Sequence, residues 1–290
     1  SGLAASPRKW QPPAASRAEK LRAGTDSGAL WAQKVQALDA DSAERFWKLC
    51  DGTKAGKEGN KSAGGIMTTN AMELVEAEVG VRGASAEEDD ETTSEGVVDK
   101  ICRLNHSCNP NAHFSWRASD GEMVVHALRD IAEGEELLVS YSVKILHLPR
   151  SVRQLQLEAW NMQCGCAVCS QSGSDLATSD ARRSHLFLKR YSLGWDVEEV
   201  EVPEEVERGR ELVRQDPMEG VKAAMEADVM VDMELCGNPS VKEGLYSRGY
   251  YFALKAMQQD LANELLNAAY EQCCIAHGKD GPRARKYQEL

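Results

Sequence analysis

The chain has 290 residues, of which 42% are hydrophobic and 28% charged, so it can bury a core and stay in solution. Its formal net charge of −12 and its pI near 5.1 argue against sequence-independent nucleic-acid binding, which needs a basic surface. No apolar run is long enough to span a bilayer or to form a signal peptide, so we expect no membrane partner. The sequence does not begin with Met, which is consistent with a piece of a longer protein.

The cysteine content indicates a reducing compartment. Nine cysteines is an odd number, and Cys273 and Cys274 are adjacent, so the set is a poor disulfide framework for a chain of this size. We expect some thiols on zinc and the others, listed next, to be buried apolar residues. These are Cys50, Cys102, Cys236, Cys273 and Cys274.

The first part of the chain alternates between helix and loop signals. Residues 1–26 are rich in Ala, Ser, Arg, Lys and Pro and predict a mobile lead-in. Residues 28–50 carry apolar residues near helical spacing, and residues 51–65 hold five glycines typical of a loop. Thr69 or Asn70, placed before an apolar run, is a good helix N-cap.

The middle of the chain predicts short strands. Five consecutive acidic residues at 87–91 indicate a solvated insertion, although a docking site for a basic peptide is an alternative. Residues 97–101 predict a short strand. Residues 113–116 and 123–128 predict two strands joined at Asp120-Gly121, which is a hairpin turn signal.

Helices dominate the rest of the chain. A further strand at 137–141 precedes a helix at 151–160, with Val152, Leu155 and Leu157 on or near one face. Ser179 or Asp180 can cap the next helix, which Leu193-Gly194-Trp195 ends. Later helices are predicted at 201–214, 218–236, 240–258 and 260–277. Small residues among large ones in the last two suit antiparallel helix pairs.

Three motifs follow one another in the order listed here. They are Asn105-His106-Ser107-Cys108-Asn109-Pro110-Asn111, Gly134-Glu135-Glu136-Leu137-Leu138-Val139-Ser140-Tyr141 and Cys164-Gly165-Cys166-Ala167-Val168-Cys169. Asn and His both donate and accept hydrogen bonds, so the first run can hold a polar ligand or brace crossing backbones. In isolation it is more simply interpreted as a polar turn with a buried cysteine. The three cysteines of the last motif have spacing typical of zinc ligands, but a closed zinc site needs a fourth. A redox pair is the alternative, although the strand-to-helix setting of a thioredoxin-like site is absent.

Together these motifs resemble the catalytic half of SET-domain proteins, which are lysine methyltransferases that use S-adenosylmethionine. The short Cys-x-Cys-x-x-Cys spacing is similar to that of the SET-and-MYND branch and its fungal relatives, and the resemblance is dense over residues 66–170. It implies an α+β fold with SET-type small β-sheets, a threaded motif loop, a post-SET zinc site and a C-terminal tetratricopeptide-like helical region. A plain helical appendix is the alternative for that last region. The implied divisions are a SET domain over 27–160, a zinc segment over 161–175 and helices over 176–290.

The resemblance also implies roles for particular residues. Tyr141 is the implied catalytic residue, placed where methyl donor and target lysine meet; a tyrosine that packs in a core is the alternative. The implied contacts to S-adenosylmethionine are Asn70, Leu104, Asn105, His106, Tyr141 and Met162. His106 can also brace two crossing segments through both ring nitrogens. The implied zinc ligands are Cys108, Cys164, Cys166 and Cys169.

The chain departs from the family pattern in two respects. No Gly-x-Gly element stands upstream of Asn70, and the absence of cysteine between Cys50 and Cys102 excludes a MYND insertion there. The first hypothesis is therefore a protein-lysine methyltransferase whose donor site is finished by residues outside this sequence. It would act on a lysine of a protein substrate, histone or non-histone, in the nucleus, the cytoplasm or both, without direct nucleic-acid contact. The second is a non-catalytic, zinc-stabilised SET-like interaction module.

Overall fold

The computed structural model describes residues 27–74, 95–117, 120–195 and 203–290. The predicted mobile lead-in and the acidic run at 87–91 lie outside these ranges. No helix in the described ranges is both long and apolar enough to cross a bilayer.

Four helices precede the first strand. They are α1 (Ser27–Gln36), α2 (Ala40–Lys48), the short α3 (Lys54–Lys57) and α4 (Ala63–Asn70). The single helix expected over 28–50 is thus wrong: Asp39 caps a new helix by accepting a hydrogen bond from the Ser42 backbone N–H at 2.9 Å. The loop expected over 51–65 is also partly helical, because the Ser62 hydroxyl caps α4 through the Gly65 N–H at 3.0 Å. Asn70 ends α4, so its interpretation as an N-cap was wrong.

The strands form three two-stranded sheets within the described residues. They are β1 (Met72–Glu73), β2 (Glu95–Gly96), β3 (Asn105–His106), β4 (Ala112–Arg117), β5 (Glu122–Ala127) and β6 (Leu138–Val139). β1 pairs antiparallel with β2, β3 pairs parallel with β6, and β4 pairs antiparallel with β5. The hairpin predicted around Asp120-Gly121 is confirmed, with Phe114 opposite Val125. The strand predicted over 97–101 is wrong: β2 ends at Gly96, and residues 101–103 form a 3-10 turn.

The C-terminal half is helical. Its helices are α5 (Arg150–Leu157), α6 (Gly173–Ser192), α7 (Glu204–Gln215), α8 (Pro217–Leu235), α9 (Pro239–Lys255), α10 (Gln259–His277) and α11 (Pro282–Gln288). The four helices predicted between 201 and 277 are confirmed, and α11 was not predicted. Leu155 is exposed and does not share the buried face of Val152 and Leu157. The cap expected at Ser179 or Asp180 is wrong, because both lie inside α6.

The helical core depends on close approach between neighbouring helices. A side chain at Gly220 of α8 would collide with the ring of Phe252 on α9. Gly249 of α9 lies against Leu265 of α10, where an added Cβ would stand 3.2 Å from a Leu265 methyl. This is the predicted packing of small against large residues in neighbouring helices. The tetratricopeptide-like arrangement and the threaded motif loop stay predictions.

Candidate functional site

The first two motifs meet in the parallel pair of β3 and β6. Asn105 lies opposite Leu138, and His106 lies opposite Val139. Asn111, which is 1% exposed, stabilises the pair through two hydrogen bonds to the segment of β6. Its Oδ1 accepts from the Leu138 N–H at 2.8 Å, and its Nδ2 donates to the Glu136 carbonyl at 2.8 Å. The strand that leads to Tyr141 is therefore held against the Asn105-His106 segment.

His106 links this pair to the cysteines. Its Nδ1 accepts a hydrogen bond from the Tyr141 backbone N–H at 3.1 Å, so we assign the ring proton to Nε2, which stands 3.4 Å from Cys108 Sγ. Burial lowers the pKa of His106 to about 4, which keeps the imidazole neutral at neutral pH. This is the bracing arrangement that the sequence predicted for His106. Its contact with the methyl donor stays a prediction.

The Tyr141 hydroxyl contacts the residue that directly precedes the first motif. The hydroxyl donates to the Leu104 carbonyl at 3.1 Å, and the ring lies 5.3 Å from that of His106 and 5.7 Å from that of Trp160. Burial raises the pKa of Tyr141 above its ordinary value, so the phenol is protonated at neutral pH. The hydroxyl can orient or donate a hydrogen bond, but it is a poor general base.

The two asparagines assigned to the donor differ in exposure. Asn105 is exposed, and its amide donates to Glu136 Oε1 at 2.6 Å. Asn70 is 8% exposed, and its amide donates to the carbonyls of Cys50 and Ile66 at 2.7 Å each. Asn70 therefore ties α4 to the segment that follows α2.

Trp160 is a site residue that sequence reasoning missed. It lies beside Tyr141 because the next residue, Asn161, adopts a left-handed conformation (φ 53°) and its amide donates to the Gly52 carbonyl. Lys57 Nζ donates in turn to the Asn161 carbonyl at 3.1 Å. The signal was an aromatic residue two places before Met162, the position to which the donor contact was assigned. Met162 is half-buried and packs against the cysteine cluster.

The four cysteines predicted as ligands converge. The sulfur atoms of Cys108, Cys164, Cys166 and Cys169 all lie within 4.8 Å of one another, and Cys108 Sγ is 3.5 Å from Cys169 Sγ and 4.0 Å from Cys164 Sγ. Tetrahedral zinc with Zn–S bonds of about 2.3 Å places its sulfur atoms about 3.8 Å apart. The donor set and its spacing therefore fit a closed metal site. A two-cysteine redox site would not need a ligand from the distant first motif.

The other cysteines are only partly as expected. Cys273 is buried, Cys102 and Cys274 are half-buried, and Cys50 and Cys236 are exposed, so the burial predicted for the last two was wrong. Cys236 is exposed because it ends α8 in a left-handed conformation (φ 49°), where its sulfur accepts from the Asn109 amide at 3.0 Å.

Comparison with protein-family models identifies a domain to which part of the chain is similar. Residues 17–142 match the family model of the SET domain. The match begins inside the segment predicted as a lead-in and ends eighteen residues before the predicted boundary at 160. Residues 17–142 are thus similar to a SET domain, and the resemblance drawn from the three motifs is confirmed.

Individual relatives narrow the comparison. The chain is 40% identical over 86 residues to the histone-lysine N-methyltransferase set5 of Schizosaccharomyces pombe, covering 29% of this chain and 26% of that protein. It is 29% identical over 98 residues to the N-lysine methyltransferase SMYD2-B of Danio rerio, covering 33% and 22%. It is 30% identical over 87 residues to the human histone-lysine N-methyltransferase SMYD3, covering 29% and 20%. The chain spans about a quarter or less of the length of these relatives.

Proposed function

We propose that the chain is a protein-lysine N-methyltransferase that uses S-adenosylmethionine. The observation that carries the proposal is the Tyr141 hydroxyl, which donates to the Leu104 carbonyl from a ring that lies beside the rings of His106 and Trp160. Two oxygen atoms and an aromatic face suit the positively polarised methyl group of a sulfonium. The relatives are named lysine methyltransferases, which supports the same reaction here.

The residues of this chain would act mainly by orientation. Bound S-adenosylmethionine would supply the electrophilic methyl group, and Asn70, Leu104, Asn105 and His106 would hold it, with Trp160 or Met162 against its apolar part. Methyl transfer is an in-line displacement that requires a neutral amine, so Tyr141 would align the lysine nitrogen rather than remove its proton. The raised pKa of Tyr141 supports this orienting role, because a protonated phenol cannot accept the lysine proton.

The cysteine cluster would bind zinc in a structural role. Four thiolates leave no open coordination position, so the metal would hold the post-SET segment on the first motif without taking part in methyl transfer. His106 would carry this constraint to Tyr141, because its two ring nitrogens contact Cys108 and the Tyr141 backbone.

The substrate class follows from the reaction. We propose a lysine side chain of a protein, histone or non-histone, as the acceptor, and the nucleus, the cytoplasm or both as the location. Relatives named for histone-lysine and for N-lysine methylation support the acceptor class without naming one protein.

Calorimetric titration with S-adenosylmethionine tests the proposal, with zinc content measured on the same sample. We expect micromolar donor binding that is lost in Asn105→Ala. Tyr141→Phe should bind the donor like the unmodified chain but lose about 100-fold to 1000-fold in methyl transfer to a lysine-rich protein, the range for one lost transition-state contact. Tyr251→Phe, on α9, is the matched control and should change neither. Zinc binding without donor binding would contradict a complete donor site in this chain. It would leave the interaction module and a site finished by residues outside this sequence, and donor binding by a chain extended upstream separates these two.

A further inference from the structure

A fully buried arginine lies beside the cysteine cluster. Arg153, on α5, is 0% exposed, and its Nη2 stands 3.6 Å from the sulfur of Cys169. Its Nη1 donates to the Leu148 carbonyl, which fixes the guanidinium in the wall of the cluster. A buried charge is costly unless an opposite charge compensates it.

The protein groups around Arg153 compensate it poorly. The nearest carboxylate oxygen that pairs with it, Asp180 Oδ1, is 3.9 Å away on a side chain that is 28% exposed. The same oxygen accepts a hydrogen bond from the Arg150 backbone N–H at 2.7 Å. The Nε of Arg153 is buried and has no hydrogen-bond partner among the described residues.

A second buried arginine provides the contrast. Arg183, on α6, is also 0% exposed, but its Nε lies 3.3 Å from Glu234 Oε2 and its Nη2 donates to the Glu234 carbonyl at 2.9 Å. Its remaining contacts are carbonyl oxygens, including that of Cys108 at 3.4 Å. Arg183 therefore has a buried carboxylate as its ion-pair partner, although its Nε, like that of Arg153, makes no hydrogen bond among the described residues. The guanidinium of Arg153 faces sulfur instead.

The charge of the cluster explains the difference. Four thiolates around one divalent metal carry two negative charges in excess, whereas four neutral thiols carry none. With neutral thiols, Arg153 would be a buried cation with one distant carboxylate. With a metal tetrathiolate, the cation and the anionic cluster would stabilise each other at short range.

We propose that Arg153 is a positioning residue of the metal centre, whose buried charge stabilises the anionic four-thiolate form and so retains the metal. This inference rests on the metal site of the proposed function. It adds a requirement that the four cysteines alone do not satisfy: the cluster needs a cation from α5 to hold its metal at full affinity.

Metal affinity in charge variants tests the inference. Arg153→Met keeps the length and the apolar stem and removes the charge; Arg153→Lys keeps the charge. Arg150→Met is the matched control, since Arg150 lies on the same helix and its guanidinium donates to the Gln171 carbonyl at 3.0 Å. Zinc affinity is measured by competition with a chromophoric chelator, and Co²⁺ substitution gives the sulfur-to-metal charge-transfer spectrum.

We expect Arg153→Met to weaken zinc binding by about 10-fold to 100-fold, the usual cost of losing a group that supports metal ligands. Its Co²⁺ charge-transfer band should shift, because the thiolates lose their neighbouring cation. Arg153→Lys and Arg150→Met should stay near the unmodified chain in both measurements. Equal affinity and an unchanged spectrum in Arg153→Met would overturn the inference.

Two other outcomes are also decisive. If Arg153→Met does not fold, the test depends on Arg153→Lys. A folded Arg153→Lys that loses zinc by about 10-fold to 100-fold would show that the geometry of the guanidinium matters rather than its charge, which overturns the inference. Zinc retention by Arg153→Lys would support it. If the unmodified chain binds neither zinc nor Co²⁺, the proposed metal site fails, and the role of Arg153 fails with it. Metal binding without an Arg153 effect leaves the proposed site standing and removes only the inference.

Discussion

Histidines line the contact between the β4–β5 hairpin and the C-terminal helices. His113 on β4 lies directly opposite His126 on β5, and the ring of His113 packs edge-to-face on that of His277, the last residue of α10, at 5.0 Å. Gly278, which follows α10, lies so close to the His126 ring that an added Cβ would be 2.7 Å from its Nε2. This joint is one place where acid should weaken the fold.

The groups around the joint disfavour imidazolium. Burial, followed by the charge of Arg283, lowers the pKa of His113 to about 4 and that of His277 to about 2. Burial and the nearby Arg117 also lower the pKa of His126. The carboxylate nearest to His277 is Glu243, with Oε2 at 3.9 Å from its Nε2, but both Glu243 oxygens already accept from Arg283 at 3.0 and 2.8 Å. The carbonyl end of α10 favours a cation at His277, although not enough to outweigh burial beside Arg283.

The direction of the pH effect follows from these shifts. Both folded pKa values lie below the value of about 6.5 expected for unfolded histidine, so the stability is fully present above that pH and is lost as the pH falls. At about pH 5, each of His113 and His277 should have removed about 2 kcal/mol from the free energy of unfolding. Most carboxylates are still ionised there, which limits their contribution to the change.

Urea unfolding near neutral pH and at about pH 5 measures this loss, with tryptophan fluorescence as the probe. His277→Gln removes one titrating group, so its stability should fall by about 2 kcal/mol less than that of the unmodified chain over the same interval. His185→Gln is the control, because His185 is exposed. Buried His147 contributes equally in all three proteins. An unchanged pH dependence in His277→Gln would refute the argument, as would an equal change in His185→Gln.

Three further predictions concern single interactions. Asn111→Ala should lower the free energy of unfolding by about 2 to 4 kcal/mol, because the Leu138 N–H and the Glu136 carbonyl lose their partner. Asn263→Ala, on the exposed surface, is the control and should change the free energy of unfolding little. Equal losses in the two variants would contradict this prediction. Glu243→Gln should cost about 3 to 5 kcal/mol in urea unfolding by leaving Arg283 buried without its ion pair, and a neutral result would mean that the pair is dispensable. Removal of metal with a strong chelator should lower the midpoint of thermal unfolding, with recovery on adding zinc; an unchanged midpoint would contradict a structural role for the metal.

Local patterns predicted the elements whose partners are close in sequence. The β4–β5 hairpin is an example, because alternating strands and Asp120-Gly121 specify it without help from the rest of the chain. The same local reasoning failed at Ser179, which has the chemistry of a cap but is buried in α6 and donates to Glu234 Oε2 at 2.6 Å. It also failed at Gly65, which looked like a loop glycine. Gly65 lies inside α4, and the position requires glycine because the buried carboxylate of Asp51 occupies the space that a side chain would need.

In the candidate site, too, local sequence patterns could be recognised and long-range contacts could not. Its motif residues, including Tyr141 and the four cysteines, could be recognised from residue types in order, since each motif carries its chemistry within a few positions. The contacts that hold the motifs together could not be predicted, because each joins segments far apart in the chain. They are the bond of the motif residue Asn111 to β6, the packing of Trp160 on Tyr141, and the approach of Arg153 to the cysteine cluster. A test of these supporting residues therefore separates a working site from a chain that merely contains the motifs. If the supports can be removed without effect on metal or donor binding, the motifs alone do not account for the function proposed.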